Sequence, residues 1–213
     1  MSRFALLLPA ALGAFALAGC DLADDGPRTT QTRDVAAFTR VDNRDSIDVR
    51  LHVGEPQRVR VRAGEKVIDD VRTVVRDGTL QVTFDDDGFL GDAVTVEVSV
   101  PELTGVGLSG SGNVDAEGIG ADDFELRSDG SGDVALAGRA ERLALAVEGS
   151  GDADLGRLAA REARVTADGS GDVDVRADRR LDVTVDGSGD VRYHGDPVLT
   201  EHVDGSGELS RAD

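Results

Sequence analysis

Six copies of Gly-Ser-Gly, each followed by an acidic or amide residue, concentrate the chemistry-bearing side chains of this 213-residue chain. The serines are Ser111, Ser131, Ser150, Ser170, Ser188 and Ser206, at steps of 20, 19, 20, 18 and 18 residues. Directly after the tripeptides stand Asn113, Asp133, Asp152, Asp172, Asp190 and Glu208, and before five of them Asp129, Glu148, Asp168, Asp186 and Asp204. Clustered carboxylates beside backbone carbonyls are the hard oxygen ligands that Ca²⁺ takes, so Asp133, Asp152, Asp172 and Asp190 form a candidate calcium row. The same side chains can instead close their own turns through Asx-type hydrogen bonds. If the repeats stack at the ~4.8 Å strand spacing, neighbouring like charges repel by about 1 kcal/mol in water. Such rows require cations, hydration or local hydrogen bonds.

Other reactive residue types are scattered. His52, His194 and His202 have no HxxxH or HExxH spacing, although His194 and His202 could meet on adjacent repeats. The repeated serines lack a Gly-x-Ser-x-Gly setting, so they read as turn residues rather than nucleophiles. Asp178, Arg179 and Arg180 form the kind of acid–base cluster found in solenoid polysaccharide enzymes; exposed turn charges are the simpler reading. No catalytic residue and no cofactor other than calcium is expected.

The elements that position these residues follow from period two. Leu143, Leu145 and Val147 share one parity with Gly149 and Gly151; Val165 and Ala167 share one with Gly169, Gly171, Val173 and Val175. Alternation of this kind marks strands. It places the glycine pairs Gly110/Gly112, Gly130/Gly132, Gly149/Gly151, Gly169/Gly171, Gly187/Gly189 and Gly205/Gly207 on the inward side. Glycine there removes a side chain where the chain bends or meets another backbone. A unit of about 19 residues cannot bury an apolar face alone, but a stack of such units can. The expected fold is all-β, a parallel β-solenoid, with an antiparallel meander of Gly-Ser-Gly hairpins as the alternative. Its core must be aliphatic, because aromatic residues are only 3% of the chain.

Residues 1–19 have a positive start at Arg3 and an apolar run from Phe4 to Leu17, broken by Pro9 and Gly13. That describes a secretory signal peptide, too short for an ordinary membrane span. Leu17-Ala18-Gly19-Cys20 resembles the lipobox of bacterial lipoproteins, and Cys20 is the only cysteine. Acylation of Cys20 would anchor the chain, each buried CH₂ contributing ~0.8 kcal/mol. The expected location is the cell envelope, on the periplasmic face of the inner or outer membrane. The organisation expected is a signal peptide (1–19), a solvated tether (20–33), irregular N-terminal β coils (34–100) and regular Gly-Ser-Gly solenoid repeats (101–213).

Charge narrows the partners. The whole chain carries −19, which argues against nucleic acid, since a polyanion needs a basic footprint. Residues 20–100 hold 11 basic and 17 acidic residues, net −6; residues 101–213 hold 11 and 25, net −14. A surface so acidic would attract cations or basic partners.

Val35-Ala-Ala-Phe38, Arg76-Asp-Gly-Thr-Leu-Gln-Val82, Val98-Ser-Val-Pro-Glu-Leu103 and Leu108-Ser-Gly-Ser-Gly-Asn-Val114 resemble the bacterial head GIN domain family, described as autotransporter adhesin-like, over about residues 34–207. The resemblance implies a β-solenoid on an exported or lipid-anchored protein and no catalytic residues. Ala153 and Glu208 depart from its usual Asp-Val after the tripeptide. The function expected is therefore a non-enzymatic, lipid-anchored envelope protein whose rigid solenoid is an adhesive or scaffolding surface. The alternatives are an envelope sensor or assembly factor that binds a partner protein, and a carbohydrate-active solenoid enzyme.

Overall fold

The computed structural model describes residues 25–85 and 94–212. The expected signal peptide (1–19) and the expected acylation site Cys20 lie outside the described residues. Fifteen strands and no helix are present in the described chain, arranged as a parallel β-solenoid of about five turns.

Each coil is built from a strand that runs into a sharp corner and a second that leaves it on another face. β9 (Val114–Ser128), β10 (Val134–Val147), β11 (Ala153–Ala167) and β12 (Val173–Val185) stack in parallel on one another. Each of these long strands passes through a mid-strand irregularity where the pairing slips register, between Ala135 and Ala137 and between Leu155 and Ala159, and then resumes. Gly118 (φ +81°) sits at that irregularity in β9. Its left-handed backbone is one that side-chain-bearing residues rarely adopt. The stack continues through β13 (Val191–His194), β14 (Val198–Val203) and β15 (Leu209–Arg211), all in parallel pairing.

In-register stacking turns the sequence alternation into columns. Val49, Val114, Val134, Ala153, Val173, Val191 and Leu209 lie on one rung line. Leu126, Leu145, Val165 and Val183 form another, and all four are buried. These columns form one continuous aliphatic core, in which Phe124 is the largest fully buried side chain. Burying such a side chain contributes roughly 1.5–3 kcal/mol, and a 19-residue unit gains this only by lying on its neighbour.

The regular coils rest on a first coil that contains no glycine pair. β2 (Arg40–Asn43) and β3 (Asp48–Val53) flank a corner spelled Asp45-Ser46-Ile47. β8 (Gly105–Leu108) lies on β2, and the start of β9 lies on β3. Inside this corner the buried Asn43 donates its Nδ2 hydrogen to the Ile47 carbonyl at 2.6 Å.

The N-terminal region is only partly coil-like. β6 (Thr79–Phe84) and β7 (Thr95–Val100) stack in parallel on β2 and β3. β4 (Arg58–Gly64) is antiparallel to β7, and β5 (Val71–Arg76) is antiparallel to β6. The two-residue turn Asp77-Gly78, with φ of 50° and 74°, reverses the chain as primed hairpin turns do. Residues 34–100, expected as irregular β coils, thus combine parallel stacking of β6 and β7 with the antiparallel strands β4 and β5. The tether expected over 20–33 is corrected at its end: Arg28–Arg33 is strand β1, paired antiparallel along β4. Its sequence has no apolar alternation because it is held by backbone pairing at a sheet edge. Arg33 donates to the Ile68 carbonyl at 2.7 Å, and Gln31 donates to Asp69 at 3.0 Å, so β1 ties down the end of the solenoid.

Candidate functional site

The six Gly-Ser-Gly tripeptides form one line of stacked corners. All six serines are exposed. The second glycines, Gly112, Gly132, Gly151, Gly171, Gly189 and Gly207, are all buried. The first glycines range from buried at Gly130 to exposed at Gly205. The reason for glycine is contact rather than backbone conformation. A Cβ on Gly151 would lie 1.9 Å from the Gly132 carbonyl oxygen, and one on Gly171 would lie 2.0 Å from that of Gly151. Each corner therefore rests backbone to backbone on the corner before it.

The acidic row after the corners forms a hydrogen-bonded ladder. Asn113 N–H donates to Asp48 Oδ1, Asp133 N–H to Asn113 Oδ1, and Asp152 N–H to Asp133 Oδ1. Asp172 N–H donates to Asp152 Oδ1, Asp190 N–H to Asp172 Oδ1, and Glu208 N–H to Asp190 Oδ1. All six bonds are 2.8–3.1 Å. Among the described residues these bonds run between coils rather than within a turn: from Asn113 to Asp190 each side chain caps the next coil, 18 to 20 residues on. This commits one oxygen of Asp133, Asp152, Asp172 and Asp190 to a backbone donor, which offsets part of the repulsion along the row. Asp152, Asp172, Asp190 and Glu208 line an open groove of about 570 Å³ together with Arg192.

Four outward residues on the second halves of the long strands form a separate column. Asp123, Arg142, Glu162 and Arg180 are in register on successive coils. Their steps of 19, 20 and 18 residues equal those between Ser131, Ser150, Ser170 and Ser188. That shared period was the sequence signal for this alternating column, but attention to the tripeptides alone passes over it. Arg142 forms a two-pronged pair with Asp123, Nε to Oδ1 at 2.5 Å and Nη2 to Oδ2 at 2.6 Å. This hydrogen bonding holds the Asp123 carboxyl below the usual aspartate range and raises Arg142. Arg40 on the first coil bonds Glu125 at 2.8 Å. These residues line a wide, open groove of about 790 Å³ floored by the sheet.

The remaining candidates form ion pairs, some within one coil and some between coils. His194 Nε2 lies 2.8 Å from Asp174 Oδ1, and His202 Nε2 lies 3.7 Å from Asp204 Oδ2. The two histidines thus pair with acids rather than with each other. Arg179 lies 3.8 Å from Glu162, and Asp178 lies 3.7 Å from Arg176. Arg127 spans Asp129 and Glu148, at 3.2 and 2.9 Å, which raises its own pKa and joins two members of the second acidic row.

A family model described as "Putative auto-transporter adhesin, head GIN domain" matches residues 37–197. No curated protein matches the chain. Among solved structures, a putative adhesin from Bacteroides fragilis NCTC 9343 is similar at TM-score 0.69 and 20% identity, covering 87% of this chain and 97% of that one. A putative lipid binding protein from Parabacteroides distasonis ATCC 8503 gives TM-score 0.56 and 21% identity, covering 88% and 98%. A putative adhesin from Parabacteroides merdae ATCC 43184 gives TM-score 0.54 and 18% identity, covering 88% and 97%. At these identities the likeness is one of fold.

Proposed function

The chain belongs to the head GIN domain family, and on that premise we propose that it is a non-enzymatic envelope protein, anchored through acylated Cys20, whose rigid solenoid face binds a surface or protein partner. The supporting observation is the Asp123–Arg142–Glu162–Arg180 column along an open groove. A stacked backbone holds these side chains at fixed spacing. A partner that matches the alternation gains several charge pairs without first ordering the protein, and such preorganisation favours binding.

The groove is broad and floored by strands rather than closed around a small molecule. Its charges pair with one another across coils, as in Arg142 with Asp123. That arrangement suits surface recognition better than a convergent acid and base. Salt should weaken binding, because exposed charges are screened within about 8–10 Å at physiological ionic strength.

The experiment is capture of envelope proteins and cell-surface material on the immobilised protein, compared with a Glu162→Lys/Arg180→Glu variant of equal melting temperature. Loss of a specific partner with the variant supports this function. Equal retention by both removes the groove from it. Fractionation of cells carrying Cys20→Ser tests the anchor separately: the lipidated chain partitions with membrane and the variant does not.

A further inference from the structure

The two ends of the solenoid are finished differently. At the N-terminal end β1 is tied across the end by Arg33 and Gln31. At the other end β14 pairs only with β12, and β15 only with β13, among the described residues. Val198 is 70% exposed and Val203 is 42% exposed there. Both lie on β14, whose outer edge leaves backbone donors and acceptors open to another strand.

The rung lines identify what that strand must carry. Leu181 is followed in register by Leu199, and Val185 by Val203. Between them Val183, buried like Leu126, Leu145 and Val165 before it, is followed by Glu201, which is exposed. A carboxylate therefore ends an otherwise aliphatic core column. Asp204 and Glu208 are exposed nearby. Residues 186–212 hold six acidic residues against Arg192 and Arg211, net −4, whereas residues 25–85 hold eleven of each sign.

We infer that this end is a docking edge for an extended segment of a partner protein, which adds a strand to β14 and places a lysine or arginine over Glu201. Apolar residues two positions either side of that cation would cover Leu199 and Val203. Addition of a strand to an open edge takes affinity from the backbone and specificity from alternate side chains. A second copy docked end to end through β14 is disfavoured by like charge: antiparallel self-pairing that matches Leu199 to Val203 sets Glu201 against its own equivalent. An inward charge on an edge is also a known guard against such self-association. Adding the cation converts that guard into a selective contact.

The test uses two synthetic probes, acetyl-Thr-Leu-Thr-Lys-Thr-Val-Thr-amide and the same peptide with Glu in place of Lys. Each is titrated into the isotope-labelled protein while backbone amide shifts are followed. The lysine probe should shift the amides of Val198–Val203, with the glutamate probe on the order of tenfold weaker, about 1.4 kcal/mol. Glu201→Lys should exchange that preference while the melting temperature stays unchanged. No shift with the lysine probe at millimolar concentration, or equal binding of both probes, overturns the inference. Dimerisation of Glu201→Gln without probe binding would assign the edge to a second copy and also overturn it.

Discussion

Asp152 Oδ1 accepts the backbone N–H of Asp172 at 2.9 Å, across two coils that are 20 residues apart in sequence. The bond gives a structural use to a row of like charges. It also requires only an acceptor oxygen at that position, not a charge. Asn113 already fills the same place, accepting from Asp133 N–H at 2.9 Å.

Asp152→Asn is therefore expected to preserve thermal stability or raise it slightly, because the acceptor remains and one like charge leaves. Asp152→Ala removes the acceptor and should lower stability by about 1 kcal/mol, a fall of roughly 2–4 °C in melting temperature for a chain of this size. Thermal denaturation followed by circular dichroism separates the two. An alanine variant as stable as the asparagine variant would show that the ladder contributes nothing.

Backbone contact at the corners predicts a steep dependence on one methyl group. Gly151→Ala would set a Cβ 1.9 Å from the Gly132 carbonyl oxygen, with no flexible side chain able to move aside. The coils must separate, at a cost of about 3 kcal/mol or more. Gly120→Ala is the control: nothing lies within 4 Å of its added Cβ, and its φ is not positive. It should be neutral or stabilising by roughly 0.5 kcal/mol. Chemical denaturation midpoints of the two variants give the comparison.

Hydrogen bonding from Arg142 lowers the Asp123 pKa in the folded protein. The favourable contribution of this pair is thus complete above the ordinary unfolded aspartate value, ~3.9, and is lost as pH falls through the lower folded value. Carbon-detected titration should find the Asp123 midpoint below that of ordinary aspartates. In Arg142→Met it should return toward the ordinary value. An unchanged midpoint in that variant would mean that Arg142 is not the cause.

The ladder commits one oxygen of Asp133, Asp152, Asp172 and Asp190 to a neighbouring N–H, so cation effects should be those of screening. Melting temperature should rise with salt, and CaCl₂ should act like NaCl at equal ionic strength. A selective rise with Ca²⁺, reversed by EDTA and absent in an Asp152→Asn/Asp172→Asn variant, would instead establish the calcium row.

Sequence period and parity made most of the architecture legible. Leu143, Leu145, Val147, Gly149 and Gly151 share one parity, which carries the inward face through the corner; Leu143, Leu145, Val147 and Gly151 are buried. What stayed hidden was long-range. β1 is polar and has no periodic signal, since backbone pairing to β4 makes it a strand. The first corner has no glycine pair, so its equivalence to the others appears in contacts across the chain: Ser46 Oγ meets Ser111 Oγ at 2.8 Å, 65 residues apart, and Asp48 accepts the Asn113 N–H. The turn-closing role considered for the row acids was local, whereas the observed bonds join different coils. The Asp123–Arg142–Glu162–Arg180 column followed the same period as the serines. No conspicuous motif marks it.

Pulsed dipolar spectroscopy on spin labels in place of the corner serines tests the stacked register most directly, with Cys20→Ser to leave one pair of reactive thiols. Labels at Ser111 and Ser206 should lie about 24 Å apart at the backbone, one strand spacing for each coil between them. The Ser111–Ser170 pair should give about 14 Å by the same spacing. Distances that fail to grow in step with coil number, or a Ser111–Ser206 distance unrelated to that spacing, would contradict the stack.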